Sequence, residues 1–87
     1  MAVIYIPSLL RGLCGGASKL EFDATNLGEL LRAVDVRCPG FYERVVENGQ
    51  LRPELAFAID GEVIPLALHD TLAPGAELTI VPAIGGG

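Results

Sequence analysis

The chain has 87 residues, 51% hydrophobic and 20% charged, with a formal net charge of −5 at pH 7. That length and mixture specify one small globular domain with one modest core, not a disordered chain. No apolar run approaches the roughly 18 residues of a membrane span, and eleven acidic residues against six basic ones disfavour nucleic acid as a partner, because phosphate contact needs cations.

The same charge suits a partner with a basic docking face. Met1 to Pro7 carries neither the basic n-region nor the cleavage site of a secretory signal, so a cytoplasmic protein is expected. In that compartment Cys14 and Cys38 are expected as free, reduced thiols with a structural role. With no CxxC and one histidine in the chain, they make no metal-ligand pattern. His69, beside Asp70, is the one candidate base. It has no partner nucleophile, so no catalytic residue is expected in this chain.

In chain order, Ala2-Val3-Ile4-Tyr5-Ile6 is β-branched and aromatic and stops at Pro7, which predicts a strand. Ser8 to Ser18 holds the Gly15-Gly16 pair and is expected as loop. Lys19 to Ala24 alternates polar and apolar, which predicts a half-buried strand returning antiparallel to the first. Asn26 followed by Glu29 resembles a capping box. Leu27, Leu30, Leu31, Val34 and Cys38 then fall on one helical face until Pro39-Gly40 stops the helix. Phe41 to Glu47 is expected as a short helical stretch ended by Asn48-Gly49, and Arg52-Pro53 as a connection. Leu55 to Ile59 reads as a strand, Asp60-Gly61 as a hairpin turn, and Glu62 to Pro65 as an edge strand because of Pro65. Pro74-Gly75 turns the chain into a last strand, Glu77 to Val81.

One long helix must cover one face of one sheet. The first and last strands are the most apolar, so they are expected as central neighbours. Both parities of the first strand are apolar, Val3 and Tyr5 against Ile4 and Ile6. An apolar patch on the uncovered face would mark a docking surface. Candidate docking residues are Tyr5, Phe57, Ile59, Thr79, Val81 and Pro82.

The last strand runs into Pro82-Ala83-Ile84-Gly85-Gly86-Gly87. Three consecutive glycines pack nothing and cost ordering entropy. What they offer is a thin backbone, ending in a carboxylate, that threads where any Cβ would block. Residues 1–81 therefore read as the domain and 82–87 as a flexible tail, with Ile84, Gly85 and Gly86 as the threading segment. Extended, such a tail reaches roughly 20 Å, enough to enter a buried active site.

The matching stretches Ile6-Pro7-Ser8-Leu9-Leu10-Arg11, Asn26 to Leu31, Phe57 to Glu62 and, most specifically, Ala73 to Gly86 resemble the MoaD/ThiS family of sulfur carriers. Within it the chain looks like the small subunit of molybdopterin synthase and the carriers of cysteine biosynthesis. The resemblance implies an α+β, ubiquitin-like β-grasp fold: a mixed sheet of four to five strands with one main helix on one face. It implies a protein co-substrate, not an enzyme, or the non-catalytic small subunit of a molybdopterin-synthase-like enzyme. The partners implied are an E1-like adenylating enzyme and a sulfur-accepting synthase, with no nucleic acid and no membrane. ATP and magnesium belong to the activating partner, and no cofactor or metal is implied on this chain. The family ends in two glycines and this sequence in three. Either Gly87 carries the thiocarboxylate, or a C-terminal processing protease exposes Gly86. Two other functions share the feature set: a ubiquitin-like modifier conjugated to lysines, and a ubiquitin-like interaction domain that is never activated.

Overall fold

The structure, a computed structural model, describes residues 1–82. Five strands form one sheet in the order β2-β1-β7-β5-β6. Their bounds are β1 Ala2–Tyr5, β2 Lys19–Phe22, β5 Leu55–Ile59, β6 Glu62–Val63 and β7 Glu77–Pro82. The first and last strands are central neighbours, as their apolar content predicts. They run parallel, with Val3 opposite Glu77 and Tyr5 opposite Thr79. The other pairings in the sheet are antiparallel. β6 is an edge strand, and it ends two residues before Pro65.

Helix α1 (Leu27–Arg37) buries Leu27, Leu30, Leu31 and Val34 completely. Burying each such side chain contributes about 1.5–3 kcal/mol, so this stripe is what fixes the helix to the sheet. Its start is over-determined. Asn26 Oδ1 accepts the Glu29 N–H at 2.8 Å, and Glu29 Oε1 reaches back to accept from the Thr25 N–H at 2.9 Å and the Thr25 hydroxyl at 2.8 Å. The capping box expected from the sequence is thus present, with the return bond one residue earlier than usual. Two more helix-end donors are taken up by a loop: Leu27 N–H bonds Asp70 O, and Gly28 N–H bonds Leu68 O. A Cβ on Gly28 would stand 3.1 Å from that Leu68 carbonyl, so glycine there allows the close approach.

Three local features differ from the sequence reading. Ser8–Cys14, expected as plain loop, winds into a 3-10 helix ended by Gly15 at φ 65°. Helix α2 (Phe41–Val45) is followed by a small hairpin, β3 (Val46–Glu47) paired with β4 (Gln50–Leu51). Asn48 and Gly49 form its turn with φ of 55° and 75°, both left-handed, as a two-residue hairpin turn requires. The pair that was expected only to stop a helix also starts a strand pair. Lastly, Cys14 and Cys38 are joined in a disulfide. The expectation of two reduced thiols is therefore corrected: the end of the 3-10 helix and the C-cap of α1 meet in the core, where both cysteines are buried.

The core lies between the inner sheet face and the helices. Ala2, Ile4, Ile6, Phe57, Leu78 and Ile80 come from the sheet side, and Phe41 and Val45 from α2.

Candidate functional site

β1 and β7 are parallel, so both leave the sheet at the same end. β5 is antiparallel to β7 and starts at that end, with Leu55 opposite Pro82. Ser18, just before β2, is there too, since its carbonyl accepts the Ile6 N–H. One end of the sheet therefore gathers the end of β7, the start of the 3-10 helix and the starts of β2 and β5. β7 is paired with β1 over Glu77 to Thr79 and with β5 over Leu78 to Pro82, so its end is positioned by its pairing with β5. The threading residues Ile84, Gly85, Gly86 and Gly87 follow from it and lie outside the described residues.

Strand parity sorts the proposed docking residues. Leu78 and Ile80 face the core, so Thr79 and Val81 face outward, and Thr79 sits between Tyr5 on β1 and Ala58 on β5. Val81 is 41% exposed, and Val63 on β6, opposite Ala58, is 64% exposed. Phe57 and Ile59 are corrected. They stand opposite Ile80 and Leu78, residues of the core face, and Phe57 is only 4% exposed. Directly opposed residues share a sheet face, so both belong to the core side. Pro82 pairs with Leu55 through the backbone.

The outer face is thus an apolar strip of Val3, Tyr5, Thr79, Ala56, Val81 and Val63, with Lys19, Glu21 and Glu77 as its charged border. The Tyr5 hydroxyl donates to Glu77 Oε1 at 3.2 Å, and the Lys19 ammonium stands 6.0 Å from the Tyr5 ring centre. Two guanidiniums come from segments near the same end. Arg11, on the 3-10 helix, donates Nε–H to Ile6 O at 2.9 Å and has no ion pair among the described residues. Arg52 donates to Glu43 O at 2.8 Å and lies 3.5 Å from Glu47 and 3.7 Å from Glu54, so its charge is shared with two carboxylates. Beside it a shallow groove of about 340 Å³ runs over Leu51, Pro53, Leu55 and Ile64.

His69 does not join this constellation. Its side chain is 88% exposed and 4.0 Å from Asp70 Oδ1, while Asp70 Oδ2 accepts the Ala67 N–H at 2.7 Å and shapes the loop that seats α1. Among the described residues no group of three His, Cys, Asp or Glu stands close enough to hold a metal ion. No helix there is long and apolar enough to cross a membrane. The Glu29 carboxyl is held below its ordinary value by the Thr25 backbone N–H and then by the Thr25 hydroxyl. The Cys14–Cys38 pairing is what sequence reasoning missed. Cys38 lies on the core stripe of α1, which is a signal for burial, but nothing local to Cys14 points across the fold to it.

The ThiS family model matches residues 9–87. Among solved structures the chain is similar to one in the crystal structure of the Amycolatopsis orientalis BexX/CysO complex, at 27% identity, with 100% of each chain covered and a TM-score of 0.89. It is similar to Mycobacterium tuberculosis CysO, an antigen, at 24% identity, covering 97% of this chain and 100% of that one with a TM-score of 0.87. It is also similar to SAMP1 from Haloferax volcanii, at 24% identity, covering 99% and 98% with a TM-score of 0.76. Among curated proteins none matches significantly.

Proposed function

The chain belongs to the ThiS family and has the ubiquitin-like β-grasp fold, and from that premise we propose that it is a sulfur carrier whose C-terminal glycine is loaded by a partner enzyme. The observation that carries this reading is the run from β7, a strand held along both edges, into Ala83-Ile84-Gly85-Gly86-Gly87, with the family match extending to residue 87. A rigid strand aims the segment, and glycine keeps it narrow.

The chemistry follows from the group on offer. A carboxylate is a poor acyl donor because its leaving group would be oxide. An E1-like partner, using ATP and magnesium, joins the carboxylate oxygen to AMP and releases pyrophosphate. A sulfur nucleophile then attacks the acyl carbon, AMP departs with that oxygen, and a thiocarboxylate is left on the glycine. Its sulfur is nucleophilic near neutral pH, as thiolates are, and a sulfur-accepting synthase takes it inside its own pocket. This chain supplies no base and no nucleophile of its own. It binds, aims and enters. Likeness to a chain solved in the BexX/CysO complex supports docking on a partner protein, and the outer sheet face offers the apolar strip for it.

The test is the intact mass after incubation with ATP, a sulfur source and host extract. A gain equal to the sulfur–oxygen difference, mapped to Gly87 or to Gly86 after trimming, is the expected result. No adenylate, no thiocarboxylate and no conjugate would favour an interaction domain that is never activated; high-mass conjugates through lysine would favour a protein modifier. Gly86→Ala is expected to leave the fold intact and to slow loading by about 100-fold, the scale of a misplacement near 1 Å at a reacting centre. A Gly86→Ala variant loaded at the wild-type rate would remove the threading argument.

A further inference from the structure

The disulfide stands on a segment that little else holds. The hydrogen bonds of the 3-10 helix and its flanks close among themselves. Leu10 N–H bonds Pro7 O, Gly16 N–H bonds Arg11 O, Ala17 N–H bonds Cys14 O, and Arg11 Nε–H bonds Ile6 O. Among the described residues no hydrogen bond ties residues 7–17 to α1 or α2. What fastens this flap to the helix layer is the burial of Leu10 and Cys14, partial packing of Leu13, and the bond from Cys14 to Cys38. Leu9, next to buried Leu10, is 85% exposed. The flap starts where β1 ends, at the same end of the sheet from which residues 83–87 continue.

We propose that the Cys14–Cys38 disulfide is a redox-controlled latch on this flap, and that the closed latch presents Leu9 beside the end of β7 to the protein that takes up the tail. The contact of Leu9 rests on the carrier reading; the latch does not. Closing is a thiol–disulfide exchange. A small disulfide oxidant accepts the two electrons and two protons of the Cys14 and Cys38 thiols and leaves as two thiols, while one sulfur–sulfur bond forms in the protein. Opening is the reverse, driven by a dithiol. Both cysteines are at most 1% exposed, so the attacking thiolate has to wait for local opening of the flap, and exchange in the native protein is slow relative to an exposed disulfide.

The experiment compares oxidised wild type, wild type reduced with a phosphine, and the C14A/C38A double variant by amide hydrogen exchange. The expected result is that the Leu10, Gly16 and Ala17 amides lose protection in the last two, at least tenfold beyond any loss shared by β1 and β7. Equal loss across the molecule, or none, overturns the latch. So do two alkylatable thiols in protein that has been treated with oxidised glutathione and then unfolded. For the contact, Leu9→Asp in the oxidised protein is expected to lower the rate of tail loading by host extract about tenfold with Tm unchanged, and an unchanged rate overturns it. If wild type is never loaded, the carrier reading fails and the Leu9 contact falls with it, while exchange still decides the latch.

Discussion

On the inner face of the sheet Ala2, Ile4, Phe57, Leu78 and Ile80 are buried beneath the helices, whereas on the outer face Val3, Tyr5, Thr79 and Val81 meet solvent. The same strands make both faces, one residue out of step. The inner face needs its apolar residues, because a domain of this size has one core and nothing to spare. The outer face does not need its own. Nothing in the folding of an isolated domain calls for Val81 or Val63 to be apolar, yet both are, and the charged residues Lys19, Glu21 and Glu77 stand at the border of the strip. An apolar centre with a polar rim is the anatomy of a protein interface. The difference teaches that apolar content in these strands has two causes, and that parity separates them.

Two adjacent residues of β7 test that separation. Leu78→Ala, at 1% exposure in the native chain, is expected to cost about 3 kcal/mol through lost burial and the cavity left behind. In a domain of this size that lowers Tm by more than about 10 °C. A loss below about 1 kcal/mol would mean that the inner face collapses around the gap and is less tightly packed than its burial indicates. Thr79→Asp, next along the chain, is expected to change stability by less than about 1 kcal/mol, the span of strand propensities. Yet it places a charge between Tyr5 and Ala58 in the middle of the strip. The concentration of carrier that half-saturates tail loading is then expected to rise by about tenfold or more, as a desolvated charge in an interface demands. If Thr79→Asp instead unfolds the protein and Leu78→Ala impairs loading alone, the assignment of the two faces is wrong.

How legible this was follows from the range over which each signal acts. The helix, its cap and its apolar stripe are local, and Asn26, Glu29, Leu27, Leu30, Leu31 and Val34 spell them within a few turns. The pairing of β1 with β7 is remote, but both strands are rich in large apolar residues, and that signature survives without knowledge of register. The placement of Phe57 and Ile59 was not legible. Leu55-Ala56-Phe57-Ala58-Ile59 alternates large with small, and the size of the large residues fits a core face and a docking face equally until Ile80 and Leu78 are seen opposite them. The hairpin at Asn48-Gly49 was hidden because its strands are two residues each, too short for any periodicity. The disulfide was hidden because it joins residues separated by 24 positions and by a strand and a helix. Compartment was the sole guide to its oxidation state, and it pointed the other way. The glycine run was plain from its composition, though its residues fall outside those described.

The smallest expected effect concerns the helix that makes the inner face inner. Glu29 is pulled below its ordinary value by the Thr25 N–H and hydroxyl, which bond its ionised form. A carboxyl with a folded value below its unfolded one adds stability that is fully present above the unfolded value, about 4.3 for glutamate. That stability is lost as pH falls through the lower folded value. Glu29→Gln keeps an oxygen for the two bonds and removes the charge. At neutral pH the variant is therefore expected to melt slightly below wild type, by less than either β7 substitution shifts the midpoint or the loading curve. The gap should close as the pH is taken down through the acid range, because wild type then loses the same charge. Tail loading at neutral pH should be unchanged, since Glu29 holds the covering layer and touches neither the strip nor the end of β7. A gap that stays constant into acid would assign the effect to hydrogen-bond geometry alone. A change in loading with Tm held would show that the covered and uncovered faces communicate through α1, which the rigid division between them does not allow.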